Sequence, residues 1–224
     1  MGQDIKLTAS DGFQSGGYRA DPAGAPKGAI VVIQEIFGVN HHIRAVCDRL
    51  AGAGYVAIAP SIFDRIEPHF QSGYSPDEIA VARKFVANPD WAAMLLDTQA
   101  AIDAVKNVGP VGIIGFCLGG SIAYASATKL TGLSAAVGYY GGAVVRFADD
   151  KPKVPTQLHF GEQDHGIPLT DVDTIKTKRP EIEVYVYPSA QHGFHCDERP
   201  SYDKASADIA WPRSLEFFTK HMKK

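Results

Sequence analysis

The apolar run Val111 to Ile114, followed at once by Gly115-Phe116-Cys117-Leu118-Gly119-Gly120, constrains the fold of this chain more than any other segment. An apolar run, a nucleophile-bearing turn between glycines and an Ala-rich stretch describe a strand, a sharp elbow and a helix within about twenty residues. The pattern is G-x-nucleophile-x-G with cysteine in the place where serine is usual. Glycines flank the nucleophile because the turn is sterically crowded, and a side chain there would obstruct the turn or the approaching substrate. The helix that follows places positive backbone potential beside the sulfur. The structural alternative is a tight turn whose cysteine packs as a small hydrophobe.

The rest of the chain repeats the strand-then-helix rhythm. Ala29 to Gln34 is a dense β-branched run without alternation, the pattern of a strand buried on both faces. Similar runs recur at Tyr55 to Ala59, Ala135 to Tyr140, Thr156 to Phe160 and Ile182 to Tyr187. Helical spacing separates them: Ile43 to Ala53, Leu95 to Val105 behind an Asp90 cap, Ser121 to Leu130, and a polar Pro168 to Lys178. The tail from Tyr202 reads as helix, with Trp211-Pro212 expected to kink or restart it. Ile5, Leu7 and Ala9 alternate before a turn at Asp11-Gly12, predicting an antiparallel hairpin at a sheet edge. Ser61 to Asp77 is a long irregular stretch, read either as a loop over the active site or as a plain surface excursion. These features predict an α/β protein with a mostly parallel central sheet, helices on both faces and an N-terminal antiparallel hairpin. With 224 residues and no linker or repeat, residues 1–224 are expected to form one domain.

Composition narrows the function classes. Charged residues make up 21% and the net charge is −3, ordinary for a globular enzyme and without the basic excess that nucleic acid requires. No apolar run approaches the roughly 20 residues that span a bilayer, and the N-terminus lacks the apolar core of a signal peptide. Three scattered cysteines, Cys47, Cys117 and Cys196, fit a reducing cytoplasm rather than a disulfide framework. The expected partner is a small molecule, with neither nucleic acid nor membrane, for a monomer or homodimer.

An elbow cysteine needs a base, and the base needs an orienting acid. Asp164 follows the strand ending at Phe160, and His192 follows the strand ending at Tyr187. Both should lie at the carboxyl edge of a parallel sheet, beside the elbow. The order Cys117, Asp164, His192 is that of nucleophile, acid and histidine in α/β-hydrolases. Taken singly, His192 reads equally as a structural loop histidine and Asp164 as a turn or cap residue. Gln34-Glu35-Ile36-Phe37-Gly38 ends the first central strand, where the N–H of Ile36 would complete an oxyanion hole with that of Leu118. Glu35 is unexpected there. It reads as a surface glutamate or as a carboxylate aimed at the thiol that restrains it until substrate arrives.

Taken together, these segments resemble the dienelactone hydrolase family, also called carboxymethylenebutenolidases. The resemblance rests on residues 34 to 40, Gln-Glu-Ile-Phe-Gly-Val-Asn, and on residues 115 to 120, and extends through Val137 to Gly141, Gly161 to Asp164 and Ala190 to Phe194. It implies an α/β-hydrolase fold, a Cys117–His192–Asp164 triad gated by Glu35, and hydrolysis of an enol-lactone to maleylacetate through a cysteine acyl-enzyme. It implies no metal and no organic cofactor. Dienelactone-specific members resemble one another in two arginines for the substrate carboxylate. Here Cys196 stands at one of those positions with Arg199 shifted from it, and Arg83 is a candidate counterpart of the other. Phe37 and Tyr139 are further candidate substrate contacts.

Three rival readings stand beside this one. A general carboxylesterase or thioesterase on the same fold would need no arginine pair. A redox-sensing protein would use Cys117 with Cys196 as its resolving thiol. A metal site would draw on His41-His42, Asp164-His165 or His192-x-x-His195-Cys196, none of which has a zinc spacing, so no metal ligand set is expected.

Overall fold

The computed structural model describes residues 2–223; Met1 and Lys224 lie outside the described residues. Strands β1 (Gln3–Thr8) and β2 (Gln14–Ala20) pair antiparallel and form the predicted hairpin at one edge of the sheet. The remaining strands are β3 (Ala29–Ile33), β4 (Val56–Pro60), β5 (Val111–Phe116), β6 (Leu133–Tyr139), β7 (Thr156–Gly161) and β8 (Glu183–Tyr187). The eight strands lie in the order β1-β2-β4-β3-β5-β6-β7-β8, and all neighbours from β4 to β8 are parallel. This is the mostly parallel sheet with an N-terminal antiparallel hairpin that the alternating pattern predicts, and the α/β-hydrolase fold that the family resemblance implies.

Burial on both faces explains the unbroken apolar runs. Successive strand side chains point to opposite faces. Ile30 and Val32 of β3 therefore join one core, while Ala29, Val31 and Ile33 join the other. The first core is closed by α1 (His41–Gly52), α6 (Leu169–Lys178) and α7 (Lys204–His221), through Ile43, Val46, Val172, Phe217 and Phe218. The second is closed by α3 (Trp91–Val105) and α4 (Leu118–Lys129), through Met94, Ile102, Ile122 and Ala123. Asp90 caps α3 as expected, accepting from the Ala93 N–H at 3.0 Å.

Three elements depart from the sequence reading. The irregular stretch ends inside an unpredicted helix, α2 (Pro76–Lys84), started by a Ser75/Glu78 capping box and Pro76. A one-turn helix, α5 (Val144–Phe147), follows β6. Pro212 neither ends nor restarts α7, which is a single helix from Lys204 to His221; proline removes only the one N–H that would bond four residues back.

The topology fixes where chemistry can occur. Strand order reverses at β3, because β4 lies on one side of it and β5 on the other. The segments leaving the carboxyl ends of β3 and β5 diverge there, and a crevice opens between them. Ile33 pairs with Gly115 at the top of this register, so residues 34–38 and the elbow are neighbours.

Candidate functional site

The elbow is built by close backbone approach. A Cβ on Gly119 would sit 2.6 Å from the Gln34 carbonyl oxygen, and one on Gly115 would collide with the Gly119 carbonyl oxygen. The Gly119 N–H donates to the Gln34 carbonyl at 3.1 Å, tying the elbow to the end of β3. Cys117 is held at φ 57°, ψ −114°, a strained conformation that turns its side chain out of the sheet edge.

His192 bridges the other two side chains of the elbow's expected set. Its Nε2 lies 3.0 Å from Cys117 Sγ, and its Nδ1 lies 2.7 Å from Asp164 Oδ2. Asp164 is buried, and its other oxygen accepts from the Gly166 N–H at 2.8 Å. Burial opposes charge on the imidazole, but the Cys117 sulfur and the Asp164 carboxylate outweigh it and push His192 up to about 10. The N–H groups of Ile36 and Leu118 make no hydrogen bond among the described residues, and both residues border a depression beside Cys117 and His192.

A second polar group lies alongside. Glu35 is 1% exposed, so it is not the surface glutamate of one sequence reading. Its Oε1 accepts from Arg199 Nη1 at 3.0 Å, and its Oε2 faces the Tyr74 hydroxyl at 3.4 Å. The sulfur of Cys117 is engaged by His192, and the contacts of Glu35 are to Arg199 and Tyr74. Tyr74 also accepts from Asn40 Nδ2 at 3.0 Å and from the Cys196 thiol at 3.3 Å. Burial and the Glu35 charge push the Cys196 thiol up to about 12, which disfavours the thiolate a resolving cysteine needs.

Cys117 opens into a cleft of about 520 Å³ walled by Arg83 and Ile79 of α2, by Phe37, and by Arg199. Arg199 therefore reaches the cleft despite its shift in sequence. Two turns, Cys196 N–H to Gly193 carbonyl and Arg199 N–H to Cys196 carbonyl, shorten its path. Its guanidinium packs on Gly193, which has φ 80° and leaves room only because it lacks a Cβ. Tyr139 does not reach the cleft. It is fully buried, with its hydroxyl 2.7 Å from Ser214 Oγ and its ring stacked on His159. Tyr140 is the residue beside the site, at φ 38° with its ring centroid 5.2 Å from that of His192.

The segment between β8 and α7, residues 188–203, carries His192, Cys196 and Arg199 together. It is a chain of turns pinned by the buried Phe194 and closed where the Asp203 N–H donates to the Phe194 carbonyl at 3.0 Å. Tyr74 and Ile79 also border the site, and the one sequence signal near them is the Ser75/Glu78 capping box, which marks where the chain becomes helical. No described helix is long and apolar enough to cross a membrane.

Comparison with known proteins points one way. The family model described as "Dienelactone hydrolase family" matches residues 16–222. The chain is similar to the "Putative carboxymethylenebutenolidase" of Synechocystis, at 37% identity over the whole of both chains. It is 32% identical to the carboxymethylenebutenolidase of Pseudomonas putida, with 96% of this chain and 95% of that one covered. Among solved structures, a "Putative Dienelactone Hydrolase" from Klebsiella pneumoniae superposes with TM-score 0.86 at 32% identity, covering 98% of this chain and 99% of that one.

Proposed function

Because the chain belongs to the dienelactone hydrolase family, and so is an ester hydrolase of that type acting on a small molecule, we propose that it opens an anionic enol-lactone, dienelactone, to maleylacetate through a Cys117 acyl-enzyme. The observation that carries this reading is His192, set 3.0 Å from Cys117 Sγ on one nitrogen and 2.7 Å from Asp164 on the other. That is the arrangement in which an imidazole exchanges a proton with the nucleophile while a carboxylate fixes its tautomer.

The Cys117 thiolate adds to the lactone carbonyl, and the oxyanion rests on the free N–H groups of Ile36 and Leu118. The tetrahedral adduct collapses by breaking the ring C–O bond, leaving a thioester and an enolate. An enolate is a good leaving group, so little acid assistance is required. His192, which holds the thiol proton, gives it to the leaving enolate; as neutral imidazole it then takes a proton from water, whose oxygen attacks the thioester. Collapse returns the Cys117 sulfur and releases the diacid.

Arg199 and Arg83 supply the charge for the substrate carboxylate. Arg199 is occupied by Glu35 at rest, so a substrate carboxylate enters by exchange with Glu35. Freed from Arg199, the Glu35 carboxylate is then available to the thiol, the reverse of the expected order in which it restrains the thiol until substrate arrives. Cys196 is not required to be an arginine, because Arg199 reaches the cleft from three residues further along.

The test is turnover of dienelactone, followed by loss of its conjugated ultraviolet absorbance, in wild type and Cys117→Ala. Rapid loss that falls below about a hundredth in the variant is expected. Activity retained above that level removes Cys117 as nucleophile. A Cys117-dependent burst on an activated aryl ester without dienelactone turnover keeps the cysteine hydrolase and discards the substrate.

A further inference from the structure

His42, the second residue of α1, is fully buried, and neither of its ring nitrogens has a hydrogen-bond partner among the described residues. Leaving two such atoms unpaired in the interior is costly, and buried imidazoles ordinarily find a carbonyl, a water or a metal. Beside it, a ring nitrogen of His42, a carboxylate oxygen of Glu35 and Cys196 Sγ all lie within 4.8 Å of one another. All three residues are buried. The Tyr74 hydroxyl sits between two of them, 3.3 Å from the Cys196 sulfur and 3.4 Å from Glu35 Oε2.

The geometry points to a site for one borderline-soft divalent ion, of which zinc is the type, held by Glu35, His42 and Cys196 beside the cleft. A nitrogen, a sulfur and a carboxylate oxygen are the donors zinc prefers, and thiolate disfavours the hard ions magnesium and calcium. Zinc holds such donors at roughly 2.0–2.3 Å, so the three atoms must close by about 1 Å. The Oε2 atom of Glu35 is the one available, because Oε1 is held by Arg199 at 3.0 Å while Oε2 has only the long contact to Tyr74. The ion takes the place of the Cys196 thiol proton, which leaves to solvent. The ion's charge then offsets the burial that keeps the free thiol protonated. Tyr74 or water completes the fourth position. The ligands come from the end of β3, the start of α1 and the loop after β8, which is why no spacing motif announces them. The site shares Glu35 with the proposed gating but none of Cys117, His192 and Asp164, so metal binding can be read in a protein that lacks the nucleophile.

The test uses the full chain carrying Cys117→Ala, which removes the competing Cys117–His192–Asp164 donor set. Cobalt(II) is titrated as the spectroscopic probe and then displaced with zinc. One equivalent of cobalt should give a sulfur-to-cobalt charge-transfer band in the near ultraviolet, lost on adding zinc. Adding Cys196→Ser should abolish the band and weaken zinc binding by about a hundredfold or more, whereas Asp197→Asn should leave affinity within about threefold. Asp197 is the informative control, because its Oδ1 lies 3.5 Å from His42 Nδ1 on the exposed side. No band in the Cys117→Ala protein overturns the site. So does a band that survives Cys196→Ser, or binding that is lost with Asp197→Asn but retained with Cys196→Ser. Should Cys196→Ser fail to fold, the parent's band alone decides, because the remaining thiol, Cys47, is sealed in the core.

Discussion

Arg199 holds Glu35 at 3.0 Å in a pair whose carboxylate is sealed from water while its guanidinium faces the Cys117 cleft. Removing either partner has different consequences. Arg199→Ala strands a buried carboxylate and should cost about 3 kcal/mol or more in urea unfolding. Glu35→Gln leaves a guanidinium that still faces the cleft and should cost less. Arg199→Gln should raise KM for the anionic lactone at least about tenfold while changing a neutral aryl ester by less than about threefold. Equal effects on both substrates would mean that Arg199 does not bind the carboxylate.

His192 binds its proton more tightly in the folded chain than in the unfolded one, rising from 6.5 to about 10. A group shifted in this direction adds stability in full below its unfolded value and loses it as pH rises through the folded value. The urea midpoint should therefore fall between pH 6.5 and about 10, and His192→Asn should flatten that fall. Parallel pH profiles for the two proteins would count against the shift.

Tyr139 donates to or accepts from Ser214 at 2.7 Å, deep in the core. Tyr139→Phe should lose about 1 kcal/mol, since Ser214 keeps its contacts with His159 and the Ala210 carbonyl. Its kcat and KM should match wild type, because the ring does not reach the cleft. A raised KM would return Tyr139 to the substrate.

Gly119 meets the Gln34 carbonyl oxygen so closely that a methyl group forces α4 away from β3. Gly119→Ala should destabilise by about 1–3 kcal/mol and lower kcat by about a hundredfold, as Leu118 and Ile36 are moved apart. Gly24→Ala, at a position with nothing within 4 Å, is the control and should leave activity unchanged.

The central strands were legible because burial on both faces demands long β-branched runs that no other element here produces. Their edges in the structure lie within two residues of the sequence reading. Helix α2 was not legible by periodicity, since Ala82 is its one fully buried residue and Val81 is exposed. Its start was written in Ser75, Pro76 and Glu78. Cys117, Asp164 and His192 could be placed together because each follows a parallel strand, and parallel strands deliver their ends to one edge. The position of Arg199 was not readable, because it depends on two turns whose geometry no local motif encodes. Tyr139 and Tyr140 show the limit of naming a pair: Tyr139, the last residue of β6, points into the core, and the backbone turn at Tyr140 decides which of the two rings lies near His192.

Residues 188–203 carry a histidine, a thiol and an arginine on one continuous ribbon, fastened at Phe194 and Asp203. An insertion or deletion between His192 and Arg199 changes the spacing of the base and the cation, so it cannot retune the charge preference of the cleft without straining the anchor at Phe194 that also positions His192. Divergence toward uncharged esters is therefore simpler by single-residue exchange at Arg199 than by a change in loop length. Relatives that keep the length of this ribbon while varying its residues are the ones in which new substrate classes should be sought.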